Sequence, residues 1–161
     1  MKLYIKQKVF TLTEKFAIKD GLGYDKYFVE AKFMSIPKQF LIYDTDGNTV
    51  ATIEKKFFSI PQKYTVEINE IAVAQIIKNI TLFKPSFSVS GPNWEIKGDI
   101  FAHDYTFYNG ETVIAKISKE WISWGDSYAI DYANPNDEIL TLACVIAIDE
   151  SISDSNNSYN S

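Results

Sequence analysis

The stretch Ile139-Leu140-Thr141-Leu142-Ala143-Cys144-Val145-Ile146-Ala147-Ile148 decides the fold of this 161-residue chain. Acidic pairs flank it, Asp137-Glu138 before and Asp149-Glu150 after. As a helix it presents apolar side chains in every direction except that of Thr141, and such a helix has to be enclosed. Ten residues span roughly 15 Å, about half of the length that crosses a bilayer. The sequence therefore predicts a helix that is enclosed by protein.

A repeat centred on an aromatic residue precedes this helix. Six segments place an aromatic residue two positions before an apolar one, and residues 3–10 form a further alternating stretch that predicts an opening strand. Intervals of 18 to 24 residues between the aromatic residues suit two strands with two turns, so each unit is predicted to be a hairpin. The six aromatic residues are Phe16, Phe40, Tyr64, Phe87, Tyr105 and Tyr128.

The returning strands of three hairpins share the pattern Ala-x-Ile-x-Lys. It occurs at residues 51–55, 74–78 and 115–119. Because alternate residues of a strand lie on one face, the Ala, Ile and Lys of each pattern lie together. If the Ala and Ile side chains face the core, the lysines lie near one rim of the sheet. These lysines are Lys55, Lys78 and Lys119.

The number of strands predicts how the sheet ends. One opening, six leading and five returning strands make about twelve, and an antiparallel sheet of this size is most simply closed, which removes its exposed edges. A barrel that wide leaves a lumen, and the apolar helix is the element that can fill it. We therefore predict a mainly β fold, a closed antiparallel barrel of about twelve strands around a hydrophobic C-terminal helix. Residues 1–150 are predicted to form a single domain, and the Ser- and Asn-rich residues 151–161 a disordered polar tail.

Charge and composition exclude some partners. The net charge of -5 argues against sequence-independent binding of nucleic acid, which depends on a basic face. All 16 basic residues are lysine, so phosphate can be bound by point charges but not by the bidentate guanidinium. The first residues lack the apolar run of a secretory signal, and no stretch is long enough to span a membrane. We expect a cytoplasmic protein, either free or peripheral at a membrane surface.

Few residues suit catalysis or metal binding. One histidine, His103, and one cysteine, Cys144, do not make the usual zinc ligand set, and Cys144 lies inside the apolar helix. No acidic cluster has the spacing of a calcium loop, and no nucleophile elbow is present. We predict no catalytic residue, no metal and no cofactor. Two alternatives are less favoured. A pair of carboxylates could act as acid and base, but these carboxylates are better explained as solvated turn residues. The tryptophans could form an aromatic binding platform, but they are better explained by packing. The carboxylates are Asp99, Asp104, Glu120 and Asp126, and the tryptophans are Trp94, Trp121 and Trp124.

Several short motifs, in order, carry a family resemblance over residues 3–150. They are Tyr4-Ile5-Lys6-Gln7-Lys8-Val9-Phe10, Gly91-Pro92-x-Trp94, Gly98-Asp99, Ile117-Ser118-Lys119-Glu120-Trp121 with Trp124-Gly125-Asp126, and Val145-Ile146-Ala147-Ile148-Asp149. The chain resembles small bacterial, YxjI-like members of the LURP-one-related family, in the Tubby C-terminal-like superfamily. The resemblance implies a twelve-stranded barrel with a central helix, related to Tubby domains and phospholipid scramblases. Tubby domains bind phosphoinositide head groups through a lysine and arginine site. This chain has no arginine, so no ligand residue is carried over.

The three rim lysines are the candidate ligand-binding residues. Ammonium groups of Lys55, Lys78 and Lys119 at one rim suit an anionic head group or a phosphate. The alternative is that they reach from the edge of the core into water and bind nothing. We predict a non-enzymatic domain that binds anionic lipid head groups or phosphorylated ligands at the membrane surface. The alternative function is a protein-interaction or scaffold module that uses the outside of the barrel, and an unrecognised hydrolase is the least favoured class.

Overall fold

The computed structural model describes residues 1–6, 15–32, 34–123 and 125–160. In this part of the chain twelve strands precede a short 3-10 turn, Pro135–Asp137, and one α-helix, α1, Glu138–Tyr159. The strands are β1 (Lys2–Lys6), β2 (Lys15–Asp20), β3 (Asp25–Lys32), β4 (Gln39–Tyr43), β5 (Thr49–Lys55), β6 (Lys63–Ile68), β7 (Ile71–Asn79), β8 (Ser86–Ser90), β9 (Trp94–Asp99), β10 (Asp104–Asn109), β11 (Thr112–Ile122) and β12 (Gly125–Tyr132).

The sheet closes on itself. Each strand pairs antiparallel with its neighbours in sequence, and β1 pairs with β12, where Leu3 lies opposite Ile130. The predicted closed antiparallel barrel is confirmed. The predicted opening strand, residues 3–10, corresponds to β1, and residues 7–10 lie outside the described part of the chain.

The alternation of each strand sends one set of side chains into the barrel. All six aromatic residues of the repeat are buried on this inner face, where they surround α1. Residues 142–148 of the helix have no exposed surface, so its apolar side chains contact the wall on every side. The helix is therefore the central element that the sequence predicted.

Polar groups of the wall fix the beginning of α1. The hydroxyls of Tyr27 and Tyr132 and the ammonium of Lys26 all donate to the buried Glu138 carboxylate. Asn134 precedes the turn, and its side chain accepts a hydrogen bond from the Asn136 backbone N–H. The helix axis therefore begins at a fixed place between β3 and β12.

The end of α1 differs from the sequence prediction. Residues 151–159 continue the helix, where the sequence predicted a disordered tail. Ser151 is buried, and its hydroxyl donates to the Gln62 side chain at 2.7 Å. Ser155 accepts a hydrogen bond from Lys78 at 2.6 Å. The barrel supplies hydrogen-bond partners for Ser151 and Ser155, which the Ser- and Asn-rich composition of this segment does not reveal.

Candidate functional site

The two ends of the barrel differ in their loops. The end where α1 begins carries short turns, among them residues 20–25, 44–48, 69–70 and 109–111, which contain acidic residues and no lysine. We call it the acidic end. At the opposite end three longer loops follow β3, β5 and β7, and here the second half of α1 contacts the wall.

We name these three loops L34 (residues 34–38), L56 (56–62) and L80 (80–85). Backbone hydrogen bonds continue between them beyond the regular strands. The Lys55 N–H donates to the Lys38 carbonyl at 2.9 Å, and the Lys78 N–H donates to the Gln62 carbonyl at 2.9 Å. The three loops therefore lie side by side along one arc of the rim.

Large apolar side chains project from all three loops into solvent. Their exposed fractions run from 61% for Phe57 to 97% for Met34. Large apolar side chains that are exposed together in this way are uncommon on a monomeric protein and are typical of interaction surfaces. The side chains are Met34, Ile36, Phe57, Phe58, Ile60, Ile80, Leu82 and Phe83.

Lysines accompany the apolar side chains. Residues 32–39, 55–63 and 78–86 together contain seven lysines and no acidic residue. We call this end of the barrel the lysine end. Although the chain has a net charge of -5, these seven lysines are concentrated along the arc of the three loops, while Asp99, Asp104, Glu120 and Asp126 lie elsewhere on the same end of the barrel.

Two of the three predicted rim lysines lie together at this end. The Lys55 ammonium pairs with Asp154 of α1, and the Lys78 ammonium donates to Ser155 one residue further along the helix. Burial and the neighbouring Lys55 charge lower the pKa of Lys78. The prediction that these lysines share one face and one rim therefore agrees with the structure, and their binding role stays a prediction.

Lys119 is separated from this pair. It lies on β11, four strands from β7 around the barrel, opposite Tyr128 of β12. Its side chain is exposed and makes no hydrogen bond or ion pair with residues that the structure describes. Lys119 lies at the same end of the barrel but outside the arc of the three loops.

The structure adds two lysines that sequence reasoning missed. Lys38 donates to the buried Glu150 carboxylate at 2.5 Å and lies 3.9 Å from Asp154. Lys56 is exposed and its side chain has no ion pair within the described residues. Both lie in loops, and the repeat of strands in the sequence does not predict on which face a loop residue lies. A usable signal was the repeated Ser-Ile-Pro at residues 35–37 and 59–61, which is followed directly by Lys38 in the first case and by Gln62 and Lys63 in the second.

A groove separates L34 from L56. Its volume is about 310 Å³. Each side of the groove carries both apolar side chains and lysine, with Lys38 on the L34 side and Lys55 and Lys56 on the other side. The groove is lined by Ser35, Ile36, Pro37, Lys38, Lys55, Lys56, Phe57 and Phe58.

The histidine and the cysteine serve packing. His103 lies against the Tyr128 ring with centroids 4.3 Å apart, and its Nε2 is 3.2 Å from Asp149 of α1. The Tyr128 hydroxyl donates to the same carboxylate, and burial raises the pKa of this hydroxyl. Burial also raises the pKa of the Cys144 thiol. The described residues contain no group of three or more potential metal ligands.

The residues of the alternative aromatic and carboxylate sites are distributed over several strands, and two of them, Asp99 and Asp104, lie opposite each other on β9 and β10. Trp94 is buried and contacts Phe107 edge-on, Trp121 is exposed on β11, and Trp124 lies outside the described residues. Glu120 is paired with Lys2 at 2.6 Å. Among the described helices, none has the length and apolar character needed to span a membrane.

Comparison with known proteins gives a family and a fold. The family model described as LURP-one-related matches residues 1–149. The uncharacterized protein YxjI of Bacillus subtilis (strain 168) is 35% identical over 149 residues, which are 92% of this chain and 92% of that protein. An X-ray structure of an Arabidopsis thaliana protein superposes with a TM-score of 0.66 at 16% identity, over 93% of this chain and 90% of that one. The last match concerns the fold alone.

Proposed function

This chain belongs to the LURP-one-related family, and from that premise we propose that it is a non-enzymatic domain that docks on anionic membrane surfaces through L34, L56 and L80. One observation carries the proposal: three adjacent loops present large apolar side chains and lysines together, with no acidic residue among them. The proposed location is cytoplasmic and peripheral, because anionic lipids are concentrated in the cytoplasmic leaflet.

The two kinds of side chain act on different layers of the membrane. Full burial of one large apolar side chain is worth roughly 1.5–3 kcal/mol, so a few inserted loop tips supply about 5–10 kcal/mol before the costs of association. Each lysine near an anionic surface adds about 1 kcal/mol. Reversible micromolar binding requires about 8 kcal/mol, which this combination can provide without a membrane-spanning segment.

The concentration of lysines in L34, L56 and L80 sets the proposed orientation of the molecule. An anionic surface attracts the lysine end and repels the acidic turns at the other end, so the loops approach first. Attraction of this kind falls off within a Debye length, about 8 Å at physiological salt. The affinity for anionic vesicles is therefore expected to fall as salt is added. At high salt, only the contribution of the apolar side chains to the affinity should remain.

Co-sedimentation with vesicles tests the proposal. Vesicles of phosphatidylserine with phosphatidylcholine should bind the protein, and vesicles of phosphatidylcholine alone should bind it at least about tenfold more weakly, since several lysine contacts of about 1 kcal/mol are lost. Leu82→Ser in L80 should weaken binding about tenfold or more. Leu22→Ser is the matched control, because Leu22 is 84% exposed at the acidic end and Leu82 is 92% exposed.

Lysine variants test the electrostatic part of the same proposal. Lys84→Gln in L80 should weaken binding to anionic vesicles about fivefold, whereas Lys116→Gln on the outer wall of β11 should have little effect. Changing Lys55, Lys78 and Lys119 together to Gln should also reduce binding. Equal binding of the parent protein to both kinds of vesicle, or unchanged binding of Leu82→Ser, contradicts the proposal. A different outcome would assign the loops to a protein partner. In that case the parent protein would not bind vesicles but would form a concentration-dependent dimer, and Leu82→Ser would abolish this dimer.

A further inference from the structure

We propose that the groove between L34 and L56 binds a single amphipathic phosphate, with the phosphate on the lysines and the start of an acyl chain on the aromatic wall. This inference rests on the proposed membrane docking and deepens it, because it assigns one specific lipid class to one part of the docking surface. The groove volume of about 310 Å³ is at the small end of ligand sites, and it suits a head group with the first part of one chain.

The groove is lined by two kinds of side chain, apolar and basic. Ile36 and Pro37 of L34 face Phe57 and Phe58 of L56, whose rings contact each other with centroids 4.1 Å apart. The lysines lie beside this apolar wall, on the last residue of β5 and on the loop residues next to it. A ligand that contacts both the lysines and the apolar side chains must combine an anionic group with a short apolar segment.

The charges around the groove are unbalanced. Lys38 and Lys55 pair with Glu150 and Asp154, and the neighbouring Lys78 meets only the neutral hydroxyl of Ser155. Lys56 adds a fourth ammonium group, whose side chain has no carboxylate partner in the described chain. Three lining ammonium groups therefore face two carboxylates, and Lys78, which lies beside Lys55 outside the lining, adds a further positive charge, so an anion of about one to two negative charges would balance the cluster. A phosphate monoester carries nearly two at neutral pH.

The two carboxylates also position the lysines. Glu150 and Asp154 belong to α1, whose buried core fixes them relative to the wall. Lys38 and Lys55 are held by them at the edge of the groove, so little side-chain entropy is lost when an anion binds there. Lys56 is exposed, and its ammonium group is expected to turn onto the bound phosphate.

The probe is dihexanoyl phosphatidic acid, used as a soluble monomer and followed by titration calorimetry with the full chain. We expect binding at one site, with inorganic phosphate and dihexanoyl phosphatidylcholine each at least about tenfold weaker, because each lacks one half of the recognised group. Lys56→Gln should weaken binding about fivefold and Phe57→Ser about tenfold. Both side chains are exposed, so these variants are expected to fold.

Lys84→Gln separates the groove from the docking surface. It lies in L80, outside the groove, so it should weaken vesicle binding and leave the affinity for dihexanoyl phosphatidic acid unchanged. If vesicles bind and the short-chain lipid does not, the groove proposal is wrong and membrane docking stands. If inorganic phosphate binds as tightly as the lipid, the groove is a phosphate site and the proposed acyl contact is wrong. Binding of the short-chain lipid without vesicle binding contradicts the docking function alone.

Discussion

Phe58 stands at the tip of L56 with a backbone φ of 51°, in the left-handed region that a bulky residue rarely adopts. Its ring is 90% exposed, so burial does not offset this backbone cost. Strained residues of this kind persist where the surrounding structure imposes them, and they concentrate at functional sites. The proposed docking would explain the position of Phe58, because the exposed ring would then be buried against the membrane.

Phe58→Asn should separate stability from binding. Asparagine tolerates the left-handed region, so the free energy of unfolding should rise by about 0.5–1 kcal/mol, as measured by chemical denaturation. Binding to anionic vesicles should fall about tenfold, since one inserted ring is lost. The matched variant Phe57→Asn removes the neighbouring ring, whose φ is not positive, and should weaken binding without a gain in stability. A stabilised Phe58→Asn protein that binds vesicles normally would contradict the role of this ring.

Helix α1 shows where sequence reasoning succeeds and where it ends. The all-apolar segment 139–148 predicted an enclosed helix, because no other arrangement removes those side chains from water. The following turns, residues 149–159, are polar, and their partners lie far away in sequence, as in the pair of Asp154 with Lys55. A local pattern reports burial of apolar residues, but it does not report hydrogen bonds to a distant strand.

The same pairing implies that the end of α1 restrains the lysine end. Asp154 neutralises Lys55 and approaches Lys38, so it competes with an external anion for both. Asp154→Asn should therefore strengthen binding to anionic vesicles about fivefold. It should change the unfolding free energy by less than about 1 kcal/mol, because the pair is partly exposed.

Asp46→Asn is the control for this prediction. It makes the same change in net charge in an acidic turn at the other end of the barrel, and vesicle affinity should stay within about twofold of the parent value. Equal strengthening by both variants would show that net charge, and not the contact with Lys55, limits binding.

At the scale of the whole molecule, the barrel was predictable from the sequence and the exposed apolar loops were not. The regular spacing of Phe16, Phe40 and the later aromatic residues gave the hairpins, and closure followed from the number of strands. The Ala-x-Ile-x-Lys patterns located Lys55 and Lys78 correctly at one rim because strand alternation fixes the face. Loops L34, L56 and L80 have no such periodicity, so their apolar side chains could not be assigned to solvent or to core before the structure was known.

The interior of the barrel also predicts how the protein unfolds in alkali. Burial raises the pKa of Tyr27, Tyr64, Tyr105 and Tyr128 above the ordinary value of 10.0. These hydroxyls stay protonated in the folded state after they would ionise in the unfolded chain. Their contribution to stability is therefore complete below pH 10 and is lost as the pH rises further, at up to about 1.4 kcal/mol per pH unit for each tyrosine.

Absorbance at 295 nm and far-ultraviolet circular dichroism test this prediction in one titration. Exposed tyrosines should ionise near pH 10 with no change in dichroism. The remaining tyrosines should ionise together with the loss of β signal, in a single steep transition above pH 10. Ionisation of all 10 tyrosines below pH 11, with the β signal intact, would show that the interior does not protect these hydroxyls.

The position of α1 after twelve strands has a consequence for biosynthesis. The ribosome makes all twelve strands before it makes α1, which fills the interior of the barrel. Strand β1 cannot complete its pairing until β12 has been made. During translation the inner faces of the strands therefore have no native partner, and long-range closure of this kind is slow. A nascent chain of this protein is expected to depend on chaperones until α1 has been synthesised, and premature stop codons before α1 should yield aggregated product rather than a smaller folded domain.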